Sequence, residues 1–353
     1  MRSSRFTNVF RGSLSIESLS RMSLFSTSSA AATRNLRETP GARWHKQDPE
    51  PAEAALLASR RIGKSWYLPV IEPRFKIRRT DRIFAIGSCF ARGIEKGLQG
   101  VGLNVESAAV EFDAFERSRS DVTPLGFTNK YTTFTTLNDL RWALDPGCVY
   151  PEAGYVELGD GTWADMQTNP TLKFADLETT RARRKMINAV NARVAKCRVV
   201  VLTLGLVEAW RDSATGLYNN MAPLPAMLRA HPDRFRFEVT DYDQNRAALA
   251  EIHALLAERG HADTQIVVTV SPIPLMATYT GRDVVVANAH SKALLRALAE
   301  EWSSRHENVH YFPSYEIATY SDPAMVWEAD LRHVKGQATQ SIIRCFLSSY
   351  LEA

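Results

Sequence analysis

The chain has 353 residues, 45% of them hydrophobic and 23% charged, an ordinary globular composition with room for one large domain or two small ones. Its formal net charge of +4 gathers at the N-terminus, where residues up to Arg37 hold six arginines against one acid, Glu17; the rest is close to neutral, with no basic, aromatic-interleaved stripe to suit nucleic acid. The four cysteines, Cys89, Cys148, Cys197 and Cys345, form no CxxC pair or zinc-type cluster, and no apolar stretch reaches the roughly 18 residues that would span a bilayer.

Residues 1–50 read as a disordered basic tail. The stretch is rich in Ser, Arg and Ala and lacks the continuous apolar core of a secretory signal. It fits an Arg- and Ser-rich targeting segment, a plain tail, or an over-extended start with Met22 as the initiator. Dispersed free cysteines suit a reduced compartment, so a cytoplasmic location is expected.

Folded patterning begins near Trp66. "RIFAIGS" (82–88) is a short apolar run closed by glycine and reads as a buried strand. Phe90, Ile94 and Leu98 then recur every fourth residue, a helical stripe that ends at Gly100 and Gly102. "LNVESAAVEF" (103–112) is a candidate second strand. Helices are expected over 134–144 and 175–196, the latter with Met186, Val190 and Val194 as its stripe, and 145–172 reads as a turn-rich inserted excursion.

"RVVVLTLGLVEAW" (198–210) is apolar apart from Arg198, Thr203 and Glu208, as a strand covered on both faces should be over most of its length. An amphipathic helix at 242–260, a strand in "QIVVTVSPIP" (265–274), a helix at 283–305, a strand at 309–315 and a helix at 335–350 follow. Strands alternating with helices imply βαβ units and a parallel sheet with both faces covered. The expectation is one three-layer α/β/α domain over 65–350, with a mostly parallel five-stranded sheet.

Such sheets place their sites at the carboxyl ends of the strands. The first strand leaves Gly87, Ser88 and Cys89 there; later ones leave Gly205 with Glu208, and Ser271. Gly87, Gly93 and Gly97 fail the G-x-G-x-x-G spacing, and "RIGKS" (61–65) has Ala58 where a P-loop needs glycine, so nucleotide motifs drop out. Ser88 can cap a helix and Cys89 can fill a core. Alternatively, a thiol at a helix N-terminus has its thiolate favoured by backbone N–H groups, which also suit an oxyanion. Asp330 stands three residues before His333, the spacing at which a carboxylate can orient an imidazole base.

"IGSCFA" (86–91) resembles the naming motif of the GSCFA domain family, which is placed in the SGNH/GDSL hydrolase superfamily. "TLGLVEAW" (203–210), "VTVSPIPLMAT" (268–278), "NAHSKALLR" (288–296), "YFPSYEI" (311–317) and "DLRHV" (330–334) are similar to that family too. The resemblance implies a flavodoxin-like, SGNH-hydrolase-like sandwich carrying an esterase-type site, with no metal and no cofactor. Asp330 and His333 match the superfamily's acid and base. Laid without gaps on the superfamily's first block, Gly87 falls on Gly, Ser88 on Asp and Cys89 on the nucleophile; a one-residue shift makes Ser88 the nucleophile. The expected oxyanion or substrate-binding residues are Gly87, Gly126 (with Asn129 as a substitute donor), Gly205 and Glu208. Val207 stands where the superfamily has a donor Asn. Glu208 could hold a sugar hydroxyl, position His333 or pair with an arginine.

The implied function is an acyl-ester hydrolase or O-acyltransferase acting on a carbohydrate or similar hydroxylated substrate. The alternative is a catalytically weak or inactive binding module of the same fold, serving polysaccharide or envelope assembly.

Overall fold

The computed structural model describes residues 23–108, 126–169 and 171–352. Its centre is a five-stranded, wholly parallel sheet. The strands are β1 (Arg82–Gly87), β2 (Asn104–Val105), β5 (Val199–Leu204), β9 (Gln265–Val270) and β10 (Val309–Tyr311). Their spatial order is β10-β9-β5-β1-β2, so numbering these five alone along the chain gives 2-1-3-4-5 across the sheet. That is the flavodoxin-like order, with its switch point between β1 and β5.

Successive residues of a strand point to opposite faces, and the two cores follow that alternation. Phe84, Ile86, Val200 and Leu202 join one cluster with helices α2 (Thr133–Leu144), α4 (Tyr242–Arg259) and α5 (Val284–Arg305). Ile83, Ala85, Val199 and Val201 join the other with α1 (Cys89–Gly100) and α7 (Gly336–Tyr350). The α1 stripe of Phe90, Ile94 and Leu98 is buried as its spacing predicts. Each such apolar side chain removed from water contributes about 1.5–3 kcal/mol before chain entropy is counted.

The helix over 175–196 divides into α3 (Leu177–Asn191) and a 3-10 segment (Ala192–Lys196). Its stripe differs from expectation. Met186 is exposed, whereas Ile187 and Arg184 point inward. Arg184 is admitted because Asp139 and Asp165 neutralise it inside.

Residues 198–210 are not one strand. β5 stops at Leu204, and β6 (Glu208–Asp212) joins a separate antiparallel sheet with β7 (Tyr218–Asn219) and β8 (Phe235–Val239). Between them the backbone is taken by other partners. Gly205 O accepts from Lys292 Nζ (2.9 Å), Leu206 N donates to Tyr131 O (2.7 Å), and Val207 N donates to Ser291 Oγ (3.0 Å). A Cβ at Gly205 would stand 2.5 Å from Tyr131 O, so only glycine allows this close approach.

The excursion at 145–172 contains a hairpin, β3 (Tyr155–Gly159) and β4 (Thr162–Asp165), turned by Asp160 and Gly161, both at positive φ. The strand expected at 309–315 is cut to three residues, and Ser314–Tyr320 forms a helix, α6. The strand expected at 103–112 keeps only Asn104–Val105, followed by a 3-10 turn at Glu106–Ala108; its remainder lies outside the described residues. Within 1–50, residues 1–22 likewise lie outside them, and Ser29–Glu38 forms a helix with no buried residue, capped by Ser28. Among the described residues no helix is long and apolar enough to cross a membrane.

Candidate active site

β1 ends in a turn that glycine alone accommodates. Gly87 has φ +144, and a Cβ there would lie 2.5 Å from Thr203 O on the neighbouring strand β5. The chain then enters α1 through Ser88, the N-cap, with Cys89 as the first helical residue. The two candidate nucleophiles have opposite environments. Ser88 is 3% exposed; its hydroxyl lies 2.9 Å from Ser271 Oγ and accepts from Phe90 N (3.4 Å). Cys89 is exposed. Burial by the protein around it raises the thiol pKa, and Arg332, the N–H groups of Phe90 and Cys89, and Lys292 all pull it back. The serine is engaged as the helix cap, whereas the cysteine is exposed.

The segment 126–131 closes one side. Lys130 N donates to Gly87 O (2.7 Å), which fixes it against the turn. The Lys130 side chain anchors it from inside through Asp139 (2.7 Å) and Gln167 O (2.6 Å). Gly126 begins a 3-10 turn at Gly126–Thr128 and is buried against Thr171. Asn129 is buried, with Oδ1 left unpaired, and the nearby Tyr131 hydroxyl accepts from Asn169 Nδ2 (2.7 Å). The Tyr131 phenol has its pKa raised, first by burial and then by the charge of Cys89.

Asp330 and His333 form the expected pair in the turn before α7. Asp330 Oδ2 lies 2.5 Å from His333 Nδ1, and Asp330 Oδ1 accepts from His333 N (2.9 Å) and Arg332 N (3.0 Å). These backbone donors, then the ring, hold the Asp330 carboxyl well below the usual carboxylate range. Leu331 takes φ +52 to make the turn, and Glu328 N donates to His333 O (2.8 Å) to close it. Among the described residues no hydrogen bond joins Cys89 or Ser88 to His333. Arg332 acts on each of them: its Nη1 is 3.1 Å from His333 Nε2, and its charge lowers the pKa of Cys89.

Gly205 acts through its backbone, as the acceptor of Lys292 and the gap that admits Tyr131 O. Val207 is wholly buried in the core and offers no side-chain donor. Glu208 accepts from Thr278 Oγ1 (2.8 Å), and among the described residues it contacts neither His333 nor an arginine. No group of three or more His, Cys, Asp or Glu side chains among the described residues is arranged to hold a metal ion.

The GSCFA family profile matches residues 82–346, the span that holds every one of these groups. The chain belongs to the GSCFA family. No curated protein matches it. Solved structures similar to this GSCFA chain include a Clostridium thermocellum family 3 carbohydrate esterase, at 11% identity and TM-score 0.31, over 76% of this chain and 94% of the other. Another is a Corynascus thermopiles (Myceliophthora fergusii) family 2 carbohydrate esterase with its carbohydrate-binding domain, at 10% identity and TM-score 0.34, over 80% and 67%.

Two residues of the GSCFA domain stand at this site although motif reading passed over them. Arg332 sits inside the D-x-x-H spacing as an unspecified position. Lys292 lies in "NAHSKALLR" and is 1% exposed. It shares the buried face of α5 with Leu295, Ala299 and Trp302. A lysine interrupting an apolar helical stripe was the available signal, because a charge on such a face needs a reason to be there.

Proposed function

We propose that this GSCFA protein is an acyl-ester hydrolase or O-acyltransferase that acts on a carbohydrate or similar hydroxylated substrate, with Cys89 as nucleophile. One observation carries the reading: Cys89 is exposed as the first residue of α1 at the carboxyl end of β1, while Ser88 beside it is buried and bonded to Ser271. The switch point between β1 and β5 is where open α/β sheets keep their ligands.

In this reading Cys89 Sγ attacks the acyl carbon, the ester C–O bond breaks and a thioester forms. The Cys89 N–H at the helix start and the Asn129 side chain stabilise the oxyanion, in place of the donor that Val207 lacks. Asp330 orients His333, which gives its proton to the departing alkoxide and regains one from the water or acceptor hydroxyl that attacks next, while the thiol proton passes to a base beside Sγ and returns when the thiol is regenerated. Water or an acceptor hydroxyl then takes the acyl group, and the thiol is restored. Arg332 must release His333 Nε2 for this, a rearrangement that substrate entry between Cys89 and Arg332 would produce.

The missing donor at Val207 and the arginine on His333 Nε2 favour one other reading, a weak or inactive binding module. A panel of p-nitrophenyl acyl esters separates the two, with Cys89→Ala, Ser88→Ala and His333→Ala beside the wild type. Wild-type turnover lost in Cys89→Ala and at least about a hundredfold reduced in His333→Ala is the expected result. Full activity in Cys89→Ala or His333→Ala refutes the mechanism, and a silent wild type favours the binding module.

A further inference from the structure

Lys292 is a buried charge without a counter-charge. Its ammonium is held by two carbonyl oxygens, Gly205 O at 2.9 Å and Ile273 O at 2.8 Å. Among the described residues no carboxylate lies within ion-pair distance of it. Two carbonyls leave one of its three N–H donors unused. An isolated ammonium costs several kcal/mol to bury even after the protein relaxes. A buried cation without a counter-charge therefore marks a candidate functional group.

Strand register shows what that is. Gly87 pairs with Thr203 across β1 and β5, and Thr203 pairs with Thr269 across β5 and β9. Each strand is therefore left at the same level, and Cys89, Gly205 and Ser271 all stand two residues beyond this row. Ser271 Oγ binds Ser88 Oγ (2.9 Å) and Ile273 N (3.3 Å), tying the third strand's exit to the first. Lys292, fastened from α5 to Gly205 O and Ile273 O, is thus held at the exits of β5 and β9, beside the exit of β1 that leads to Cys89. The charge of each acts on the other: Lys292 favours the Cys89 thiolate, and that thiolate favours the Lys292 ammonium.

We infer that Lys292 is the acid–base partner of Cys89: its neutral amine takes the thiol proton as sulfur attacks, and its ammonium then faces the anion formed at that turn. The step balances, since one proton leaves Sγ for Nζ and returns when the thiol is regenerated. The inference rests on the proposed reading only in taking Cys89 as nucleophile, and it leaves His333 the leaving-group proton.

The groups facing Cys89 are few. Arg92 is its neighbour on α1, but Glu95 neutralises it at 2.8 Å. The Tyr131 phenol is pushed up by burial and stays uncharged near neutral pH. Arg332 is the other cation, and no carboxylate among the described residues pairs with it; it disfavours the protonated form of Lys292. Burial, chiefly, lowers Lys292 to about 7, where a general base is most effective at neutral pH.

The test is the alkylation of Cys89 by iodoacetamide, followed on its own peptide by mass spectrometry from pH 6 to 10, which needs no substrate. Lys292→Met should slow alkylation at pH 7.5 by about tenfold or more, one pKa unit being tenfold, and move the profile to higher pH. His333→Ala should stay within about twofold of wild type. A Lys292→Met rate within twofold of wild type, or the tenfold loss appearing in His333→Ala instead, overturns the inference.

Should Lys292→Met fail to fold, Cys89→Ala at the exposed helix start reads the same link from the other side. In a chain labelled at lysine Cε, the resonance titrating near pH 7 should move to lower pH once the thiolate is gone, because linkage is reciprocal. An unmoved titration overturns the pairing. A wild type silent on the ester panel with the alkylation effect intact would count against the esterase reading alone.

Discussion

Ser88→Ala and Cys89→Ala, made side by side, give opposite patterns of stability and reactivity if Ser88 is the cap and Cys89 the nucleophile. Removing the Ser88 hydroxyl strips α1 of its N-cap and takes a hydrogen-bond partner from the buried Ser271. An N-cap is worth about 0.5–2 kcal/mol and a buried hydrogen bond about 0.5–1.5 kcal/mol. The 3.4 Å contact to Phe90 N is long, so the cap contributes at the low end. The expected loss is about 1–2.5 kcal/mol, read as a lower urea midpoint at unchanged slope. Cys89→Ala alters an exposed first-turn residue and should shift stability by no more than about 0.5 kcal/mol. In the same two proteins, hydrolysis or acyl transfer should survive in Ser88→Ala and vanish in Cys89→Ala. Ser88→Ala with unchanged midpoint and no activity, beside an active Cys89→Ala, would make Ser88 the nucleophile and refute the reasoning.

Gly87→Ala forces a Cβ to 2.5 Å from Thr203 O at a φ of +144. Strain and overpacking together should cost about 2–5 kcal/mol by urea unfolding and lower Cys89 alkylation as the turn shifts. Asp139→Asn should be among the most damaging surface-remote changes. Among the described residues it removes the one carboxylate paired with Lys130 (2.7 Å) and one of the two paired with Arg184 (3.1 Å, Asp165 remaining), leaving a buried ammonium without a counter-charge, and about 3–5 kcal/mol is expected by the same measurement. His310 is buried and bonded to Gln265 Oε1 at 2.9 Å, and burial lowers its pKa to about 4. The unfolded chain, near 6.5, therefore binds the proton first, so stability is complete above about pH 6.5 and falls as pH drops toward 4. His310→Gln should flatten the urea midpoint between pH 7 and 4.5 relative to wild type; an unchanged slope would show that this histidine does not govern the acid limb.

The parallel strands were legible because a strand covered on both faces reads as a near-continuous apolar run, and β1, β5 and β9 do, with Arg82, Thr203, Gln265 and Thr269 as their polar positions. The α1 stripe and the D-x-x-H turn were legible for a related reason: both are contacts between residues three or four apart. Met186 misled the reading of α3. Its spacing fitted the stripe, yet Arg184, neutralised by distant carboxylates, took the inward face instead. The break between β5 and β6 was equally hidden. Nothing local to Gly205 says that Lys292, Tyr131 and Ser291 will claim the backbone there.

Local sequence thus determined the sandwich, the turn at Gly87 and the Asp330–His333 pair, since periodicity, glycine geometry and short spacings act within a few residues. It also set Ser88 and Cys89 side by side without choosing between them. Tertiary structure set their environments apart, by burying Ser88 against Ser271 and leaving Cys89 exposed. It alone brought in Lys292 and Arg332 from more than two hundred residues along the chain. Charges so far apart in sequence meet only when the parallel strands bring their carboxyl ends to one edge of the sheet.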